Sequence, residues 1–144
     1  DMINSALCLK LDYECFSTVD LLCIDLMTGI CEFFKIGGSE SIVLHGPNVE
    51  TVFSVSLPVG MLPDIKVQGQ AKRLDDGDII IMMSDGISEA GFGTVRTDWL
   101  KKEIKMPFDT MDEMAQSVIE NAVKKSRDAV IDDMTVATIR LIKN

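Results

Sequence analysis

The sequence carries one histidine, His45, and no Cys-x-x-Cys pair: its four cysteines (Cys8, Cys15, Cys23 and Cys31) all fall in the first quarter of the chain. A zinc site of the usual kind is thereby excluded. Positive charge is scarce as well, with 14 Lys plus Arg against 23 Asp plus Glu, a net charge of −9, and the basic residues are scattered. Binding of a phosphate backbone calls for clustered Lys and Arg, so nucleic acid is not an expected partner. Long apolar runs are also missing, because Asp20, Asp25, Asp78 and Asp85 interrupt the most hydrophobic stretches well short of the roughly 20 residues that cross a bilayer. No membrane segment is expected in this chain. It opens Asp1-Met2-Ile3-Asn4 with no basic region ahead of an apolar one, which gives no sign of a secretory leader and suggests an excised piece of a longer protein. With Thr28-Gly29 as a two-residue hairpin turn, Cys31 lies opposite Leu26 while Cys23 points to the other face, so four reduced thiols in a cytoplasmic protein are expected.

What is present is a globular composition, 144 residues with 47% hydrophobic and 26% charged, which predicts a single domain over residues 1–144. Met2 to Leu11 reads as the end of a helix. Thr18 to Met27 is nearly continuous in apolar and β-forming residues, which predicts a strand covered on both faces. Ile30 to Ile36 reads as its hairpin partner, Ser41 to His45 as a short strand, and Val49 to Val55 as another after the turn Gly46-Pro47-Asn48. Pro58, Gly60 and Pro63 mark an irregular segment, and Ile65 to Leu74 resumes an extended pattern. The five apolar residues Ile79 to Met83 predict a buried central strand ending at Asp85-Gly86. Helices follow at Thr94 to Ile104 and from Thr110. In the second, Met111, Met114, Ala115, Val118, Ile119, Ala122 and Val123 form a stripe, and Thr110 with Glu113 makes a capping box. Met134 to Ile142 is a terminal strand. Turn signals at this density imply antiparallel sheets, and with the helices an α/β (α+β) fold.

Two acidic points stand out: Asp85 at the exit of the buried strand, and Asp132-Asp133 at the start of the last one. If those strands pair antiparallel, both points lie at the same rim. Carboxylates about 4 Å apart repel by roughly 4 kcal/mol at an effective dielectric of about 20, so such a rim wants a counter-cation, and hard oxygen donors select magnesium or manganese. Taken singly, each is ordinary: Asp-Gly is a turn signal and an Asp before a strand a loop residue.

Context changes this reading. Lys35-Ile36-Gly37-Gly38-Ser39, Leu57 to Leu62, Ser84-Asp85-Gly86-Ile87-Ser88-Glu89-Ala90 and Asp132-Asp133-Met134-Thr135, in that order, resemble the PPM-type metal-dependent serine/threonine phosphatases, in particular the stage II sporulation protein E branch. The resemblance covers essentially the whole chain. It implies an antiparallel β-sandwich flanked by helices, with two Mn²⁺ or Mg²⁺ ions at one edge activating a hydroxide that attacks the phosphorus of phosphoserine or phosphothreonine. By the same resemblance Asp85 and Asp132 are metal ligands acting through metal-bound water, Gly86 permits the close turn, and Asp133 and Thr135 support the ligands from behind. The implied substrate is a phosphorylated anti-sigma-antagonist protein. A membrane tether, known among the sporulation relatives, would need segments absent here.

One family element is not found. An upstream Asp-Gly pair that bridges both metals has no counterpart, so the N-terminal portion of the domain is expected to be missing, metal binding to be weak or absent, and this chain alone to be nearly inactive. A second function class therefore stays open: a catalytically silent phosphatase-like module that binds a partner or forms a homodimer. Other conspicuous residues have plainer readings. Asp75-Asp76-Gly77-Asp78 is a hairpin turn rather than a calcium loop, Lys35 a solvated strand lysine, His45 a surface turn residue, and Met82, Met83, Met111 and Met114 core fillers.

Overall fold

The computed structural model describes residues 2–9, 16–67, 69–90, 97–126 and 132–143. Cys15, part of the predicted helix at Thr94 and the end of the first predicted helix lie outside them. The chain divides into two compact units, residues 1–39 with 52–74 and residues 40–51 with 75–144.

The first unit holds helix α1 (Met2–Cys8) and an antiparallel sheet of β1 (Val19–Asp25), β2 (Ile30–Ile36) and β5 (Gly69–Arg73), in the order β1-β2-β5. Helix α1 is fastened by a polar residue: buried Asn4 donates to the carbonyls of Leu62 and Pro63, at 2.9 and 2.8 Å, and accepts from Gly60 N–H. The expected turn is longer than Thr28-Gly29. Asp25 pairs with Ile30, so four residues connect the strands. The Asp25 carboxylate accepts from the N–H groups of Met27 and Thr28, an Asx-type turn that competes with a tight two-residue loop. Cys31 therefore faces Ile24 and Cys23 faces Glu32. A two-residue shift preserves parity, so these two thiols still lie on opposite faces. The described cysteines Cys8, Cys23 and Cys31 are free, and burial pushes the Cys31 thiol pKa up.

Two expectations fail in this unit. Strand β1 is not covered on both faces but alternates between exposed and half-buried residues, because it is an edge strand with one open face. Lys35 is not solvated: it is buried, and its ammonium lies 2.6 Å from the carboxylate of Asp20 on the facing strand. An ion pair across adjacent strands is what allows a lysine to go inside.

The second unit is built on a sheet of β3 (Ser41–His45), β4 (Asn48–Val52), β6 (Ile79–Met83) and β7 (Val136–Arg140), in the order β4-β3-β6-β7, with antiparallel pairing of β3 with β6 and β6 with β7. Strand β6 is interior, as its apolar run predicts, and four of its five residues are buried. Among the described residues three helices follow β6: α2 (Asp85–Ser88), which the sequence does not lead one to expect, α3 (Asp98–Glu103) and α4 (Met111–Lys125). The α4 stripe of Met114, Val118 and Ala122 joins Ile42, Ile81, Met83, Ile87 and Leu100 in one core. Both halves of the Thr110–Glu113 capping box are present. Of the four methionines named as fillers, Met83 and Met114 are buried, Met82 is half-buried and Met111 packs against the core edge. His45 is more than a surface turn residue: its Nδ1 lies 2.6 Å from Oδ2 of buried Asp78. The same carboxylate oxygen accepts from Asp75 N–H, closing the expected 75–78 turn. Among the described residues no helix is long and apolar enough to cross a membrane.

Candidate functional site

The β6–β7 ladder ends at the pair Met83 with Val136, so the chain leaving β6 and the chain arriving at β7 run side by side. Ser84 clasps them. Its N–H donates to the Thr135 carbonyl, its hydroxyl donates to the Asp133 carbonyl and accepts from Thr135 N–H, each at 2.9 Å. Three bonds from one residue hold 132–135 against the exit of β6. Thr135 takes part in two of these bonds through its backbone carbonyl and N–H.

Gly86 is the second half of the clasp. A Cβ added there would lie 2.5 Å from the Asp133 carbonyl oxygen and 3.2 Å from that of Asp132. The α2 backbone thus presses directly on the Asp132-Asp133 peptide, an approach that glycine alone permits. Ser84, at the N-cap of α2 with extended backbone, turns the chain so that Asp85 becomes the first helical residue.

The structure therefore brings the backbones of Asp85-Gly86 and Asp132-Asp133 together at one rim of the second unit. Asp85, Asp132 and Asp133 are exposed there. Asp85 Oδ1 accepts from Gly86 N–H at 3.0 Å and Asp132 Oδ1 from Asp133 N–H at 2.8 Å. Each bond fixes its carboxylate and leaves the second oxygen outside it. Exposed, locally anchored carboxylates suit a hard divalent cation that keeps part of its water shell. They fit one corner of such a site and not a full cage, for among the described residues no group of three or more His, Cys, Asp or Glu is placed to hold a metal.

Ser84 is the residue of this corner whose structural role sequence reasoning missed. A serine at a strand end before Asp-Gly is a recognisable cap signal, but its partners lie some fifty residues away and no local pattern points to them.

Comparison with known proteins adds an independent line. The family model described as stage II sporulation protein E matches residues 1–142. The chain is 35% identical to stage II sporulation protein E of Bacillus subtilis over 144 residues, which is 99% of this chain and 17% of that protein. A solved structure of the PP2C phosphatase domain of the Bacillus subtilis protein, with a fragment of its regulatory domain, superposes with a TM-score of 0.86 at 34% identity, covering 98% of this chain and 43% of that one. The manganese-presoaked phosphatase domain of the same protein gives 0.79 at 33% identity, covering 99% and 65%. The chain thus spans less than two thirds of each of these relatives, and with them it shares the PP2C phosphatase fold of two antiparallel sheets and helices.

Proposed function

The chain belongs to the stage II sporulation protein E family, and from that premise we propose that it forms part of a metal-dependent protein serine/threonine phosphatase acting on phosphoserine of a small anti-sigma-antagonist protein. Family membership supports the reaction class and the substrate. The observation that carries the site is the approach of Gly86 to the Asp132-Asp133 peptide, which sets Asp85 and Asp132 at one rim.

In this reading Asp85 and Asp132 hold a Mn²⁺ or Mg²⁺ ion, and Asp133 and Thr135 shape the loop behind them. A divalent cation bound there supplies Lewis-acid stabilisation of phosphate charge and lowers the pKa of coordinated water. The chain's own residues do the positioning. The Gly86 and Asp133 N–H groups fix one oxygen of each carboxylate, and Ser84 keeps the two loops from separating. Two carboxylates supply only part of an octahedral shell, so the second ion of a two-metal centre needs donors beyond these.

Manganese titration by calorimetry on the 144-residue chain, with phosphate release from a serine-phosphorylated protein measured in parallel, tests both levels. Weak Mn²⁺ binding that disappears in Asp85→Asn and in Asp132→Asn is expected, with slow manganese-dependent turnover lost in the same variants. Binding unchanged by either substitution overturns the site. Metal binding as expected but with no phosphate release would leave the site standing and favour a silent binding module.

A further inference from the structure

Basic residues are scattered along the sequence, but folding gathers several of them on the helices of the second unit. Helices α3 and α4 pack antiparallel. The Lys125 ammonium at the end of α4 stands 5.7 Å from the ring centroid of Trp99 at the start of α3, and the Ser117 hydroxyl in the middle of α4 donates at 2.5 Å to the Glu103 carboxylate at the end of α3. Leu100 and Ile104 are buried in the core. The helical period then puts Lys101, Lys102 and Lys105 on the outer side of the pair, where Lys125 joins them across Trp99. Lys102, Lys105 and Lys125 are exposed and Lys101 is half-buried.

The nearby acids do not balance this surface. Glu103 is engaged by Ser117, Glu120 lies 3.9 Å from Lys124, and Asp98 is left on the outer side of α3. Among the described residues Lys101, Lys102 and Lys105 form no ion pair. The helix dipole favours a basic residue in the last turn, which accounts for Lys101 and Lys102 but not for Lys105 beyond the end of α3, one turn from Lys101 and repelled by it. Met106, 56% exposed, adds an apolar side chain directly after Lys105. Charge complementarity selects the occupant. A nucleic acid or an anionic bilayer carries dense negative charge past the local patch and meets the repulsion of a chain of net charge −9. An acidic stretch of protein needs only the local field, which salt confines to about 8 Å. We propose that the α3–α4 surface docks an acidic segment of a partner protein, with carboxylates against Lys101, Lys102 and Lys105 and an apolar side chain against Met106. The surface lies within the second unit, and the proposal does not depend on the phosphatase reading.

Trp99 makes the proposal measurable, because it is the only tryptophan and Lys125 stands over its ring. The full chain is titrated, by tryptophan emission and by calorimetry, with a short glutamate-rich peptide carrying one leucine and with the same peptide bearing glutamine at every glutamate. The glutamate peptide is expected to give binding heat and a saturable change in Trp99 emission, and the glutamine peptide neither. Binding should weaken as salt rises to about 0.15 M. Lys102→Gln combined with Lys105→Gln, two exposed substitutions, is expected to weaken binding about tenfold. Lys102→Arg combined with Lys105→Arg should retain it, and Lys66→Gln in the first unit should leave it unchanged. Equal binding of both peptides, no binding at millimolar peptide, or an affinity untouched by the glutamine pair overturns the proposal. Tighter binding of a single-stranded oligonucleotide or of phosphatidylglycerol vesicles, lost in the same glutamine pair, overturns it too and assigns the surface to that anion.

Discussion

At the scale of single residues, the candidate site rests on what two small side chains do. Ser84 supplies three hydrogen bonds between segments remote in sequence, and Gly86 supplies empty space. Gly86→Ala tests the second contribution. The new methyl meets a backbone carbonyl rather than a flexible side chain, so one of the two loops must move. Overpacking of this kind costs about 1–3 kcal/mol, to be read as a lower urea midpoint, and Mn²⁺ binding should weaken with it because each of the two loops carries one of the carboxylates, Asp85 or Asp132. Full stability with unchanged Mn²⁺ binding would mean that the close approach has no part in holding the corner. Asp85-Gly86 is visible in the sequence as a turn signal after a buried strand and Asp132 as an acid ahead of the last strand, and their proposed role as ligands rests on the family resemblance. The sequence did not make Lys35 legible. Burial of a lysine is decided by its partner, and Asp20 becomes that partner only when the β1–β2 register sets the two residues across from each other.

The lesson is the same one level up: elements specified by their own residues were readable, and those specified by neighbours were not. Strands β2 and β3 match the expected ranges residue for residue, and α4 begins at its capping box, because turn glycines and a capping pair act over four residues or fewer. The exposure of β1 was misread because an apolar run cannot reveal that its strand lies at an edge with one face open. The turn between β1 and β2 was misread by two residues, because Asp25 accepts from both Met27 and Thr28 and so draws them into the loop. That turn carries a pH signature. The Thr28 side chain, followed by the Met27 N–H, holds the Asp25 carboxyl below its ordinary value of 3.8. A carboxylate whose pKa is depressed by folding stabilises the fold above its unfolded pKa and loses that contribution as pH falls through the folded value. Asp25→Asn should therefore melt below the parent chain at pH 6, and the gap should close as the pH drops below 3.8. A gap that persists unchanged at pH 2.5 would assign the effect to lost packing rather than to charge.

On the scale of the whole chain, the net charge of −9 means that any added salt relieves self-repulsion, so a rise in stability with a divalent cation is not by itself evidence of a site. Location separates the two effects. Screening acts on every carboxylate, whereas an ion bound between Asp85 and Asp132 stabilises the second unit, where both residues and the β6–β7 ladder lie. Linkage sets the size of the specific part: about 2.7 kcal/mol at a free ion concentration 100 times the dissociation constant, and little when binding is weak and the ion scarce. Hydrogen exchange at matched ionic strength, with MnCl₂ in one sample and NaCl in the other, is expected to show extra protection with manganese in β6, α2 and β7. Strands β1 and β2 should respond alike to both salts. In Asp132→Asn the manganese excess should vanish while the common salt effect remains. Protection distributed evenly over both units would instead mean that manganese acts on this acidic chain as a screening ion.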